Sequence, residues 1–169
     1  MRNVVIATLI ATLAATAGLS AAGGTKTIGK MIYNTDIDPT TAKSLPDVMT
    51  RSESGELLMW WCHSADGRLM TALHTRKYFA ATDTVKVAYQ FSSANQSTEV
   101  AWRTDHHQSA WLTGKRLAQF THQAQENDRV LVRILDTDGG IVTATFDLEG
   151  LSDALELLPC AAKDLATTY

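Results

Sequence analysis

Five histidines, at 63, 74, 106, 107 and 122, are the side chains in this sequence best suited to move a proton or hold a metal. The densest group is Asp105-His106-His107. A zinc site needs three or four convergent ligands, commonly on one helix face or at paired short spacings. Adjacent histidines on a strand point to opposite faces. Neither His-x-x-x-His nor Cys-x-x-Cys accompanies them, so the group reads as a polar loop after Trp102. Asp136-Thr137-Asp138-Gly139-Gly140 resembles the opening of a calcium loop but lacks the later ligands and the closing glutamate. A hairpin turn explains it better. No serine sits in Gly-x-Ser-x-Gly, and spacing alone assembles no Ser/His/Asp set. The expectation is therefore a non-enzymatic protein without cofactor or metal. Trp60 and Trp61 fall in an apolar run and read as core and second-face packing. Trp102, His106, His107 and Trp111 remain as the candidate interaction surface.

The two cysteines, Cys62 and Cys160, acquire meaning from the compartment. Met1-Arg2 is a minimal positive n-region, Val4 to Ala17 is apolar, and Gly18-Leu19-Ser20-Ala21-Ala22 supplies small residues for a peptidase. Residues 1–22 read as a cleaved secretory signal peptide, which places the mature protein in the periplasm; an uncleaved anchor is the alternative. Once the signal is removed, no membrane span is expected. An exported chain can keep a disulfide. Cys62 and Cys160 are then the only possible pair, closing a loop of roughly a hundred residues and adding ~4–5 kcal/mol in the chain-entropy picture. Two buried thiols are the rival reading.

The whole chain of 169 residues carries a net charge of −3, one unit more negative without Arg2. No basic stripe exists to meet nucleic acid or an anionic membrane surface. Residues 23–56 are polar and broken by Gly and Pro. They read as an extended lead-in with two edge strands, near 28–33 and 45–50.

From Leu57 the pattern turns to β-structure. Residues 57–62 are continuously apolar, 69–75 alternate, and Asp66-Gly67 makes the turn between them, so the pair reads as a hairpin. Val85, Val87, Tyr89 and Phe91 share one face of a strand over 85–91, and 98–103 follows after a polar turn. Residues 130–135 and 141–146 form a second hairpin. A helix begins near Thr113 with Leu117, Phe120, Thr121 and Ala124 inward. A last helix carries Leu151, Ala154, Leu155 and Leu158 on one stripe until Pro159 stops it. These elements predict an α+β, mostly antiparallel, sandwich-like domain over 57–169 with two short packed helices and one disulfide.

Over residues 57–162 the chain resembles the periplasmic TagO/VasI-like proteins associated with type VI secretion. The resemblance rests on Cys62 at a strand end, Val87-Ala88-Tyr89-Gln90-Phe91, Trp102, and Ser109-Ala110-Trp111-Leu112. Its most specific part is Val142, Ala144, Phe146, Leu148, Gly150 and Leu151 with Ala154, Leu155 and Cys160. It implies an exported accessory domain whose partners are envelope proteins, secretion-apparatus components among them, and it reads the two cysteines as a disulfide. A periplasmic inhibitor or binder of an envelope enzyme such as a lysozyme is the alternative, and an unrecognised hydrolase is a third reading.

Overall fold

The computed structural model describes residues 23–37, 40, 43–79, 82–105, 108–135 and 139–166. The expected signal peptide and the His106-His107 pair lie outside the described residues, as do residues 136–138 of the turn that ends at Gly140.

Among the described residues, ten strands form one antiparallel sheet: β1 (Gly24–Ile28), β2 (Met31–Ile37), β3 (Ser44–Arg51), β4 (Leu57–Cys62), β5 (Leu69–His74), β6 (Thr84–Phe91), β7 (Thr98–Asp105), β8 (Ser109–Leu112), β9 (Arg129–Leu135) and β10 (Ile141–Asp147). Their order across the sheet is β1-β2-β3-β4-β5-β8-β7-β6-β9-β10. Three helices accompany them: α1 (Gly114–Gln125), α2 (Leu151–Leu155) and α3 (Ala161–Ala166). The α+β class and the antiparallel sheet match the expectation from sequence, with two refinements. A third helix follows Pro159, and the sandwich is made by a single sheet that curls until β10 lies against β3.

Residues 23–56 are more structured than a lead-in. They hold three strands, and β3 is an interior strand bonded to β2 on one side and to β4 on the other. Pro46 falls within β3 opposite Thr35. The polar composition that suggested loose chain comes from Asn, Thr, Asp and Ser residues within strands that still bury Met31 and Val48.

The core lies inside the curl, where the inward residues of β6, β9 and β10 meet α1. Val87, Tyr89 and Phe91 are buried as their alternation requires. Phe120 of α1 plugs the centre, with ring centroids 5.0 Å from Tyr89, 5.5 Å from Phe91 and 5.6 Å from Trp102. The one polar residue of the inward stripe, Thr121, accepts a hydrogen bond from Trp60 Nε1 at 3.1 Å, so its burial leaves no orphan. At the far end of α1, Asn127 Nδ2 donates to Gln123 O at 2.8 Å, and its Oδ1 accepts from Ser93 N at 2.9 Å. One side chain thereby closes the helix and ties it to the β6–β7 turn.

The C-terminal stripe is buried throughout: Leu151, Ala154, Leu155 and Leu158 are each at most 2% exposed. The helix itself is short. After Leu155 the backbone tightens, with Leu158 N donating to Leu155 O at 3.0 Å, and Pro159 prevents continuation. Cys160 is bonded to Cys62, with Cα atoms 5.8 Å apart across 98 positions of sequence. Asp164 of α3 accepts a hydrogen bond from Leu69 N at 2.6 Å. The chain end is therefore pinned to β4 covalently and to β5 by a charge-assisted bond.

Candidate functional site

An antiparallel sheet with one buried face normally alternates apolar inward and polar outward. Half of this sheet largely obeys the rule, the exceptions being the paired Leu135 and Ile141, which are exposed at one end of β9 and β10. On β6, β7, β9 and β10 the outward residues include Lys86, Glu99, Arg133, Thr143 and Thr145, with Lys86 Nζ 3.0 Å from Glu99 Oε1.

The other half does not. Registers place Met49 opposite Met59, Met59 opposite Ala72, and Ala72 opposite Trp111. Beside that row, Asp47 is paired with Trp61 and Trp61 with Met70. These side chains alternate with the buried Val48, Leu58, Trp60, Leu73 and Ala110, so they point away from the core. Met49, Met59, Trp61, Met70 and Trp111 are half-buried. Trp61 and Trp111 close over the strand between them, with centroids 5.9 Å apart and rings inclined at 55°.

Three neighbouring depressions that share lining residues run from this surface to the edge of the sheet beside α1. The first, about 470 Å³, lies between Leu45, Pro46, Met59, Trp61 and Trp111, with Asp36, Asp47, His63 and His74 on its rim. A second, about 290 Å³, continues past Trp111 toward Arg103 and Thr113. The third, about 680 Å³, reaches from His63 to Gly114 and Lys115 at the start of α1. Asp36 and Asp47 make its β2–β3 end acidic, Arg103 lines the second depression, and the end toward α1 mixes Arg68 and Lys115 with Asp66 and Asp164.

At the acidic end, Asn34 Nδ2 donates to Asp47 Oδ1 at 3.2 Å. Burial pushes the Asp47 carboxyl above its ordinary value; the Asn34 bond opposes this, and the charge of nearby Asp36 adds to it. Two polar pairs line the groove. His63 Nδ1 lies 3.0 Å from Asp66 Oδ1, on a turn where Gly67 N donates to His63 O at 2.8 Å. His74 Nδ1 and Ser109 Oγ, cross-strand neighbours, are 3.0 Å apart. A serine beside a histidine is the first half of a nucleophile–base arrangement. Among the described residues no carboxylate is bonded to the other nitrogen of His74, so the orienting third member is missing from that set. The described residues also hold no group of three or more His, Cys, Asp and Glu able to ligate a metal.

Of the expected surface residues, Trp111 is at the centre of the groove and Trp102 is not on the surface at all. Trp102 is 0% exposed, its ring edge-on to Phe120. It sits one position out of phase with Arg103, which is the outward residue opposite Trp111. His106 and His107 lie outside the described residues. Asp36, Asp47, Met59 and Trp61 were missed as site residues. The signal was present: Met59 and Trp61 are apolar at the outward phase of a strand whose inward phase is already filled.

No helix among the described residues is long and apolar enough to cross a membrane. No protein-family model matches the chain, and no curated protein matches it in sequence. Among solved structures, the crystal structure of invasion associated protein B from Bartonella henselae is similar, with a TM-score of 0.57 and 14% identity. The match covers 82% of this chain and 97% of that one. At that identity the likeness is one of fold.

Proposed function

We propose that this protein is an exported, non-enzymatic interaction domain of the bacterial envelope, and that its contact surface is the Trp61–Trp111 half of the sheet's outer face. The observation that carries the reading is the split of one face into a mostly polar half, apolar only at Leu135 and Ile141, and a Met- and Trp-rich half. Contiguous apolar patches rimmed by polar residues mark contact sites on soluble proteins, and aromatic residues and Met are enriched at the centres of such contacts. The Cys62–Cys160 bond suits an oxidising compartment. The resemblance over residues 57–162 to TagO/VasI-like proteins makes a secretion-apparatus component the first partner to seek. The name of the similar Bartonella protein, invasion associated protein B, is in keeping with a role outside the cytoplasm.

The test is site-specific photocrosslinking in living cells. A benzoylphenylalanine placed at Met59 should capture one defined envelope protein, identified by mass spectrometry, while the same probe at Thr143 on the polar half captures none. A secretion-apparatus subunit would support the TagO/VasI version and a muramidase the inhibitor version. Equal capture from both positions, or none from Met59, overturns the reading.

A further inference from the structure

The acidic end of the groove combines three features that call for the same ligand. Its walls are aromatic, with the Trp61 and Trp111 rings 5.9 Å apart. Its rim carries two carboxylates: Asp36 lies opposite Leu45 and Asp47 opposite Asn34, which makes the acids diagonal neighbours on one face, roughly 7–8 Å apart. Among the described residues no lysine, arginine or histidine forms an ion pair with Asp36 or Asp47. Lys43, exposed two residues before Leu45, forms no ion pair with either acid. Of the other cations on this face, Arg103 stands four strand spacings from Asp47, about 19 Å, and Arg51 four residues along β3, about 13 Å. Both separations exceed the screening length at physiological salt. His63 on the rim is held by Asp66 and His74 by Ser109.

A partly desolvated negative charge with no ion-pair partner among the described residues, beside an aromatic corner, is complementary to a planar organic cation. From these residues we propose that the Asp36–Asp47–Trp61–Trp111 cleft seats an arginine side chain of the partner protein. The guanidinium stacks on indole faces and bonds carboxylates through a planar fork, which a lysine ammonium cannot do. The apolar floor of Leu45, Pro46 and Met59 accepts the arginine methylenes, and arginine and tryptophan are over-represented among residues that dominate protein contacts. This inference rests on the interaction reading above and specifies its chemistry.

The four tryptophans provide the measurement. In a 15N-labelled sample, N-acetyl-arginine methylamide should shift the indole N–H signals of Trp61 and Trp111 saturably. The signals of Trp60 and Trp102, sealed in the core, should stay fixed and report an intact fold. The citrulline analogue, with the same shape and no charge, should shift none of them, and the lysine analogue should bind more weakly. Asp47→Asn should weaken arginine binding roughly fivefold, and Asp36→Asn should weaken it in the same direction. Equal shifts with citrulline, shifts with chitotriose in place of arginine, or no saturable shift with arginine would each overturn the proposal. The two readings fail separately. A partner still captured from Met59 in the Asp36→Asn/Asp47→Asn protein leaves the interaction domain standing and removes the arginine anchor. Arginine binding with no protein captured from Met59 does the reverse.

Discussion

Trp102 and Trp111 differ by nine positions and by everything that decides a side chain's role. One is enclosed against Phe120, and the other stands on the opposite face with Trp61. Trp102→Ala should cost about 3–5 kcal/mol through the cavity it leaves, read as a lowered denaturation midpoint with unchanged slope. Trp111→Ala should cost much less while abolishing partner capture from Met59. Ser109→Ala should leave that capture unchanged, because the reading gives its bond to His74 no chemical task. Two of the perturbed carboxyls, Glu56 and Asp47, give opposite pH signatures. Desolvation works to raise Glu56, but hydroxyl bonds from Ser52, at 2.5 Å, and from Ser54, its backbone bond and Arg76 together hold it below the ordinary glutamate value. The unfolded chain then binds the proton more readily, so the stability Glu56 contributes is present above the ordinary glutamate range and lost as pH falls through the depressed folded value. Asp47, raised in the fold, has the reverse sign: its contribution turns unfavourable as pH rises through the elevated folded value. Glu56→Gln should flatten the acid limb of a stability–pH curve, and Asp47→Asn should gain stability at neutral pH. A steeper acid limb in Glu56→Gln would refute this assignment. At this scale the sequence is a poor guide. Trp102 and Arg103 exchange roles with a single-residue change of phase.

Elements were more legible, because each announces itself over several residues. The alternation Val85-Val87-Tyr89-Phe91 and the stripe Leu117-Phe120-Thr121-Ala124 specify β6 and α1, and both are buried on the expected sides. β8 escaped notice: Ser109–Leu112 has only four residues, too few to display a period. The pairing of β1 to β3 also depends on contacts remote in sequence. There the turn between β1 and β2 meets the turn between β10 and α2. Gly29 and Gly150 both have positive φ, 58° and 86°, and Lys30 N donates to Glu149 O at 2.8 Å. A Cβ on Gly29 would lie 2.4 Å from Glu149 O, and one on Gly150 would lie 2.3 Å from Ile28 O. Two glycines clasp the ends of the curled sheet backbone to backbone. Gly29→Ala and Gly150→Ala should each destabilise by more than the ~1 kcal/mol of the backbone conformation alone. Gly67→Ala, with no atom within 4 Å of the added carbon, should cost only the conformational part. Equal losses at the three positions, measured by urea denaturation, would show that the clasp contributes nothing.

For the whole molecule, the last helical segment is the piece most exposed to loss. α2 is five residues long and α3 six, far below the length at which an isolated helix persists in water. Their order must come from docking, through the buried Leu151-Ala154-Leu155-Leu158 stripe and the Cys62–Cys160 bond. Both contacts hold the same segment. Cys160→Ser should cost about 2–5 kcal/mol, a large share of the ~5–15 kcal/mol available to a domain of this size. Leu155→Ala, at a side chain 1% exposed, should cost a similar amount through lost burial and the cavity. If the segment docks as a unit, the double mutant should lose less than the two single losses combined, since a segment already released cannot be released again. Denaturation of the four proteins in the cycle measures this, and intact mass confirms that the wild type is two hydrogens lighter before reduction. Strict additivity would mean that the disulfide acts only on the unfolded chain, with the stripe holding the helices by itself.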